Sequence, residues 1–156
     1  MRFLTKLCPV WAGVFLALLF AAPVQAGDVS TVGQFQSGGI TAEIDTYSEK
    51  GTVVAIVAFT SGGKTLTFAF DRNAWPSLDK LWRTAKQVQG AKFASAGSLA
   101  ENGSDEKSVI AFAGGPAIRI TILSPIDGAI VFNVPRSMAA EFEAKLRQAA
   151  AMTTKA

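Results

Sequence analysis

No histidine occurs in this 156-residue chain, and its one cysteine, Cys8, falls within the first ten residues. A Ser-His-Asp triad and a Cys-His pair both need histidine, so neither can exist here. Zinc sites built on Cys or His are excluded once Cys8 is removed with the leader described next. No cofactor is expected. The chain is also poor in charge of either sign, with 15 Lys+Arg against 12 Asp+Glu.

Residues 1–26 read as a cleavable signal peptide. Arg2 and Lys6 form a positive start, Val10 to Ala22 is almost wholly apolar, and Val24-Gln25-Ala26 offers small-x-small spacing for cleavage after Ala26. The apolar run is shorter than the roughly 20 residues that span a bilayer, so no membrane anchor is expected after cleavage. Loss of Arg2 and Lys6 lowers the net charge from +3 to +1 and leaves a 130-residue chain without cysteine. A periplasmic or secreted protein of that kind is held by its core alone.

The region 27–156 reads as a single α+β domain made of two tandem ββββα repeats, about 33–90 and about 91–150, related by a pseudo-twofold. Gly27 to Gly33 reads as a loosely held lead-in. Strands follow around Phe35, at Ile40 to Tyr47, at Val53 to Thr60 and at Lys64 to Phe70, with glycine-bearing turns between them. Gly62-Gly63-Lys64-Thr65 ends like a phosphate loop, and Ser61-x-x-Lys64 has serine–lysine spacing, but both lack the helix those motifs need and read as a hairpin turn. Ala74 to Gln89 is helical, with Trp75, Leu78, Trp82 and Ala85 along one face. In the second half, strands are expected at Lys107 to Ala113, Ala117 to Ser124 and Ala129 to Val134, and Pro135 opens a helix over Arg136 to Ala150. Met152 to Ala156 reads as a frayed tail.

An offset of 64 pairs Phe68 with Phe132, Arg72 with Arg136, Asp79 with Glu143, Trp82 with Leu146 and Arg83 with Arg147. That offset reads without a gap from Gly51/Gly115 through Ala85/Ala149, with Arg83 and Arg147 on the solvent faces of their helices. Phe93-Ala94-Ser95-Ala96-Gly97 echoes Phe35 to Gly39 at an offset of 58, with the extra residues assigned to Glu101 to Glu106 and a hairpin tip at Asn102-Gly103. Two copies of four antiparallel strands and a helix resemble the whirly group of single-stranded nucleic-acid binders. Phe68-x-Phe70-x-x-x-x-Trp75-x-x-Leu78 is similar to the strand end and helix start of related transcriptional coactivators. The resemblance implies that fold and nucleic-acid binding. The near-neutral mature charge and singly scattered cations do not form the basic groove such binding uses, and nucleic acid is not the favoured partner.

Among candidate site residues, Glu43 and Asp45 lie two apart and point to one strand face, a pairing that could serve glycoside hydrolysis or hold calcium, with Asp127 as a further acid. The alternative is the polar face of a half-solvated strand. Arg72 and Arg136 sit at the two strand-to-helix junctions, where a pair of guanidiniums beside helix starts could bind anions. The alternative is two exposed arginines, or pairing with an acid such as Asp71. Tyr47 is the aromatic expected to be exposed. The leading expectation is a small non-catalytic binding module whose partner is a protein, meeting a sheet edge or the groove between the helices, in an inhibitor- or immunity-like role. The alternatives are a carboxylate-based glycan hydrolase and a whirly-like single-strand binder.

Overall fold

Three two-residue turns set the topology of the first sheet. Gly38-Gly39, Lys50-Gly51 and Gly62-Gly63 all have positive φ, the backbone of the hairpin turns whose twist matches that of the flanking strands. Lys50 is the one non-glycine among the described residues in this region of conformational space. The structure is a computed structural model and describes residues 27–101 and 107–154. The leader and the Asn102-Gly103 tip therefore lie outside the described residues.

The hairpins join β1 (Asp28–Ser37), β2 (Ile40–Glu49), β3 (Thr52–Ser61) and β4 (Lys64–Phe70) into an antiparallel sheet in sequence order. A helix, α1 (Trp75–Gln87), follows. A second antiparallel sheet, again in sequence order, holds β5 (Ala94–Ala100), β6 (Val109–Gly114), β7 (Ala117–Ser124) and β8 (Gly128–Pro135), and α2 (Ala139–Met152) follows it. No described helix is long and apolar enough to cross a membrane.

Several local expectations need correction. The lead-in from Gly27 to Gly33 belongs largely to β1, because Asp28 to Thr31 pair with Asp45 to Ser48 through the backbone. The side chains from Asp28 to Thr31 are exposed, as those of an edge strand can be, while Val32 packs partly against the core. Pro135 ends β8, an edge strand that tolerates a missing N–H. α2 consequently starts three residues after Arg136. Thr153 and Thr154 are not frayed: Thr153 is buried, and Thr154 exchanges backbone and side-chain hydrogen bonds with Val53 of β3, including Thr154 N to Val53 O at 3.0 Å.

The strand registers also revise the spacing of the repeat. Inward residues of β4 and β8 match at 64 (Leu66/Ile130, Phe68/Phe132, Phe70/Val134). Those of β3 and β7 match at 63 (Ala55/Ile118, Val57/Ile120, Phe59/Ile122), because Pro125-Ile126-Asp127 makes the β7–β8 turn one residue longer than Gly62-Gly63. β1 and β5 match at 64, not 58: each bulges at the same place, between Thr31 and Gly33 and between Ser95 and Gly97.

Each helix covers the sheet of the other half. α1 lies on β5, β6 and β7, and α2 lies on β1, β2 and β3. The approach is closest at Gly114 of β6, where an added Cβ would stand 2.0 Å from the Ala85 carbonyl oxygen of α1. Between these layers Trp82 of α1 stacks on Phe142 of α2 at 5.4 Å and meets Phe112 of β6 edge-on, while Phe59 stacks on Phe132 across the two sheets at 5.1 Å. One apolar cluster thus draws on both sheets and both helices. Large aromatics suit such a four-way junction, since each offers broad contact area to several neighbours.

Candidate functional site

Glu43, Asp45 and Tyr47 share the outward face of β2, as alternation requires. Gln34 of β1 donates to Glu43 Oε1 at 2.8 Å across the strand pair. Asp45 stands between Thr31 and Ile56, and its Oδ1 is buried without a hydrogen-bond partner. Asp127 is in the β7–β8 turn, where its N–H donates to Ser124 Oγ at 3.1 Å. No cluster of three acids able to hold a metal ion occurs among the described residues, so Glu43, Asp45 and Asp127 do not converge. Tyr47 is half-buried, and its hydroxyl donates to Glu49 Oε2 at 2.8 Å. That bond raises the phenol above its ordinary pKa, with burial and the Glu49 charge adding to it and the Gly27 N–H opposing it.

The two junction arginines serve helix C-termini. Arg136 donates to the carbonyls of Lys86 at 2.7 Å and Gly115 at 2.8 Å, and also to that of Val88. It therefore caps the last turn of α1, where unsatisfied carbonyls favour a cation. Arg72 makes the weaker counterpart, reaching the Ala151 carbonyl of α2 at 3.4 Å. Asp71 is not its partner: that carboxylate accepts from the N–H groups of Asn73 at 3.0 Å and Ala74 at 2.8 Å and shapes the entry to α1. Arg136 has little capacity left for an outside anion. Capping of a helix that belongs to the preceding repeat leaves no mark in local sequence.

A charge network between the helices was legible only in part. Asp79 is 7% exposed and accepts from Arg83 on its own helix and from Arg147 of α2 at 3.3 Å. Glu143 accepts from Arg147 at 3.1 Å and from Lys86 of α1 at 2.6 Å. Arg83 and Arg147 are thus partners of a buried carboxylate and not simply solvent-facing. The Lys86 hydrogen bond holds Glu143 below its ordinary pKa against the opposing effect of burial; the Trp82 indole N–H and Arg147 assist. That N–H is buried and falls short of full hydrogen-bond geometry. These cross-links bridge the two helices, between which a partner groove was expected.

No protein-family model matches the chain, and no curated protein matches it.

The outward face of the second sheet carries a different chemistry. Its cross-strand rows are Ala100–Val109–Leu123–Ala129, Ser98–Ala111–Thr121–Val131 and Ser95–Ala113–Arg119–Asn133. Leu123 is 41% exposed and Val131 38%, and Ile126 at the adjoining turn is 68% exposed. No acid stands in these rows. The one cation, Arg119, lies 3.6 Å above the Phe93 ring and donates to Asn133 Oδ1 at 3.1 Å. In the first sheet the rows Gln36–Thr41–Thr60–Thr65 and Gln34–Glu43–Ala58–Thr67 are mostly polar, and Thr31–Asp45–Ile56–Ala69 mixes polar and apolar residues. Sequence alternation marked β7 and β8 as strands, but the outward row emerges only when three strands are set in register.

Proposed function

We propose that this chain is a small exported, non-catalytic interaction module that docks a protein on the outward face of its second sheet. The carrying observation is the exposed apolar pair Leu123 and Val131, in neighbouring cross-strand rows of one face, set against the Thr, Gln and Glu residues of the equivalent rows. Exposed contiguous apolar area of this kind is characteristic of protein contacts. The complementary partner surface is apolar, with an acceptor for Arg119 at one end. Export is inferred from the leader, with the mature chain starting at Gly27.

The scaffold is read as one domain with an internal pseudo-twofold. Gly33 faces Lys145 and Gly97 faces Leu81, so residues 64 apart meet residues 64 apart. Arg72 and Arg136, also 64 apart, each reach the end of the other repeat's helix, at Ala151 and at Lys86 and Val88. The glycan-hydrolase reading is less well supported, since Glu43 and Asp45 lie side by side on one strand and Glu43 is already bonded to Gln34. The nucleic-acid reading lacks a basic track on either outward face among the described residues.

The test is affinity capture from the native compartment, with the mature protein and a Leu123→Glu/Val131→Glu variant as baits. A protein retained by the first and lost by the second, at unchanged melting temperature, is the expected result. Equal retention by both baits would place the contact elsewhere. Recovery of nucleic acid or glycan instead would favour one of the alternatives.

A further inference from the structure

Tyr47 and Glu49 are placed to receive the amino terminus that export creates. We propose that, once the leader is cleaved after Ala26, the α-ammonium of Gly27 binds between the Tyr47 hydroxyl and the Glu49 carboxylate, fastening the start of β1. The inference rests on the cleavage site read above. Gly27 lies directly on the Tyr47 ring: an added Cβ would be 2.4 Å from Cε2 and Cζ and 2.6 Å from the hydroxyl oxygen. A side chain at this position would have to push the Tyr47 ring aside.

The strand register supplies the second part of the site. Asp28 pairs with Ser48 and Val29 with Tyr47, so one further step brings Gly27 opposite Glu49. Directly opposed residues lie about 5 Å apart at Cβ. The Tyr47 proton is committed to Glu49 Oε2 at 2.8 Å, which leaves the phenol oxygen free to accept from Gly27. The direction of the Gly27 N–H effect on Tyr47 agrees with that arrangement.

Cleavage changes what this site holds. A peptide N–H is one neutral donor, whereas an ammonium brings three donors and a charge, and charge-assisted hydrogen bonds are the stronger kind. Lys50 competes weakly for Glu49, at 3.8 Å and with its side chain 87% exposed. The shallow depression lined by Tyr47, Glu49, Lys50, Thr52 and Val54 gives the ammonium room. The processed chain would therefore hold its edge strand more firmly than a chain with even one extra residue.

The experiment compares proteins that begin at Gly27 and at Ala26, each released from a removable tag at the chosen bond, in the wild type and in Glu49→Gln. At low salt the Gly27 form should melt about 1–4 °C higher, as a partly exposed ion pair would give, and the difference should vanish in Glu49→Gln. Equal melting of the two wild-type forms would overturn the proposal, as would the same difference persisting in Glu49→Gln. N-terminal sequencing of the exported protein separates the two layers of inference. A start other than Gly27 refutes the clasp in the natural protein, while the paired melts still report whether Tyr47 and Glu49 take a glycine amine.

Discussion

Replacing Gly114 by alanine tests the exchange of helices between the two halves with a single methyl group. Gly114 does not have a positive φ, so alanine is not strained by its backbone conformation. At an ordinary site of that kind, the change would stabilise the protein by about 0.4–1 kcal/mol through the unfolded chain. Here the new Cβ would stand 2.0 Å from the Ala85 oxygen and 2.5 Å from Val88 Cβ. The first distance is about 1.5 Å short of van der Waals contact. The obstacle is helix backbone, and α1 cannot easily withdraw: Trp82 is wedged between Phe112 and Phe142, and Arg136 grips the last carbonyls. Overpacking against so fixed a neighbour should cost about 3 kcal/mol. In a domain of this size that lowers the melting temperature by roughly 10 °C. Gly33→Ala is the control, because its Cβ would meet Lys145 Cγ at 2.9 Å, part of a flexible side chain that can move. Thermal melts of both variants decide the matter. A Gly114→Ala protein as stable as the wild type, or more so, would mean that α1 does not lie on β6.

Three further outcomes are expected. Trp82→Ala and Leu146→Ala, at 1% and 2% exposure, should each cost about 2–5 kcal/mol in a denaturant melt; a silent Trp82→Ala would contradict its place at the aromatic junction. Arg147→Ala should cost about 1–2 kcal/mol, because it leaves one oxygen of buried Asp79 unpaired, and a cost under about half a kcal/mol would mean that the ion pair is not formed. Glu143 is held below its ordinary pKa, so its contribution is complete above that value and is lost as the pH falls through the lowered one. Melts between about pH 6 and pH 3 should therefore show a smaller acid loss for Glu143→Gln than for the wild type, and parallel curves would refute the role given to Lys86.

The elements themselves were legible because each carries its own local signature. Gly38-Gly39 and Gly62-Gly63 announce tight hairpins, and Leu78, Trp82 and Ala85 announce a buried helix face. Periodicity says which face of α1 is buried but not which sheet buries it, so the exchange of helices was out of reach. The repeat was half-read for a related reason. The loop-length changes cancel by the time the chain reaches β4 and β8, so an ungapped match there concealed the shift of one residue at β3 and β7. Of the candidate site residues, Tyr47 kept an interest it was given for exposure alone, and Arg136 proved to be engaged by a helix end 48 residues upstream at Val88. Asp79 was visible only as a repeat partner of Glu143; its burial depends on a helix that follows 60 residues later.

The exchange of helices also governs the order in which this chain can finish folding. When the first sheet and α1 have been released into solution, that sheet still lacks α2, the helix that covers it, and α1 lacks the sheet it is shaped to cover. The last turn of the chain completes the arrangement: Thr154 bonds to Val53, 101 residues earlier. Contacts of such long range are slow to form, and partly covered sheets invite aggregation while they wait. Any accessory factor that shields the nascent protein would therefore find its target in the first half, on the inward face around Ile44, Val57 and Phe68, and would be displaced only when α2 arrives.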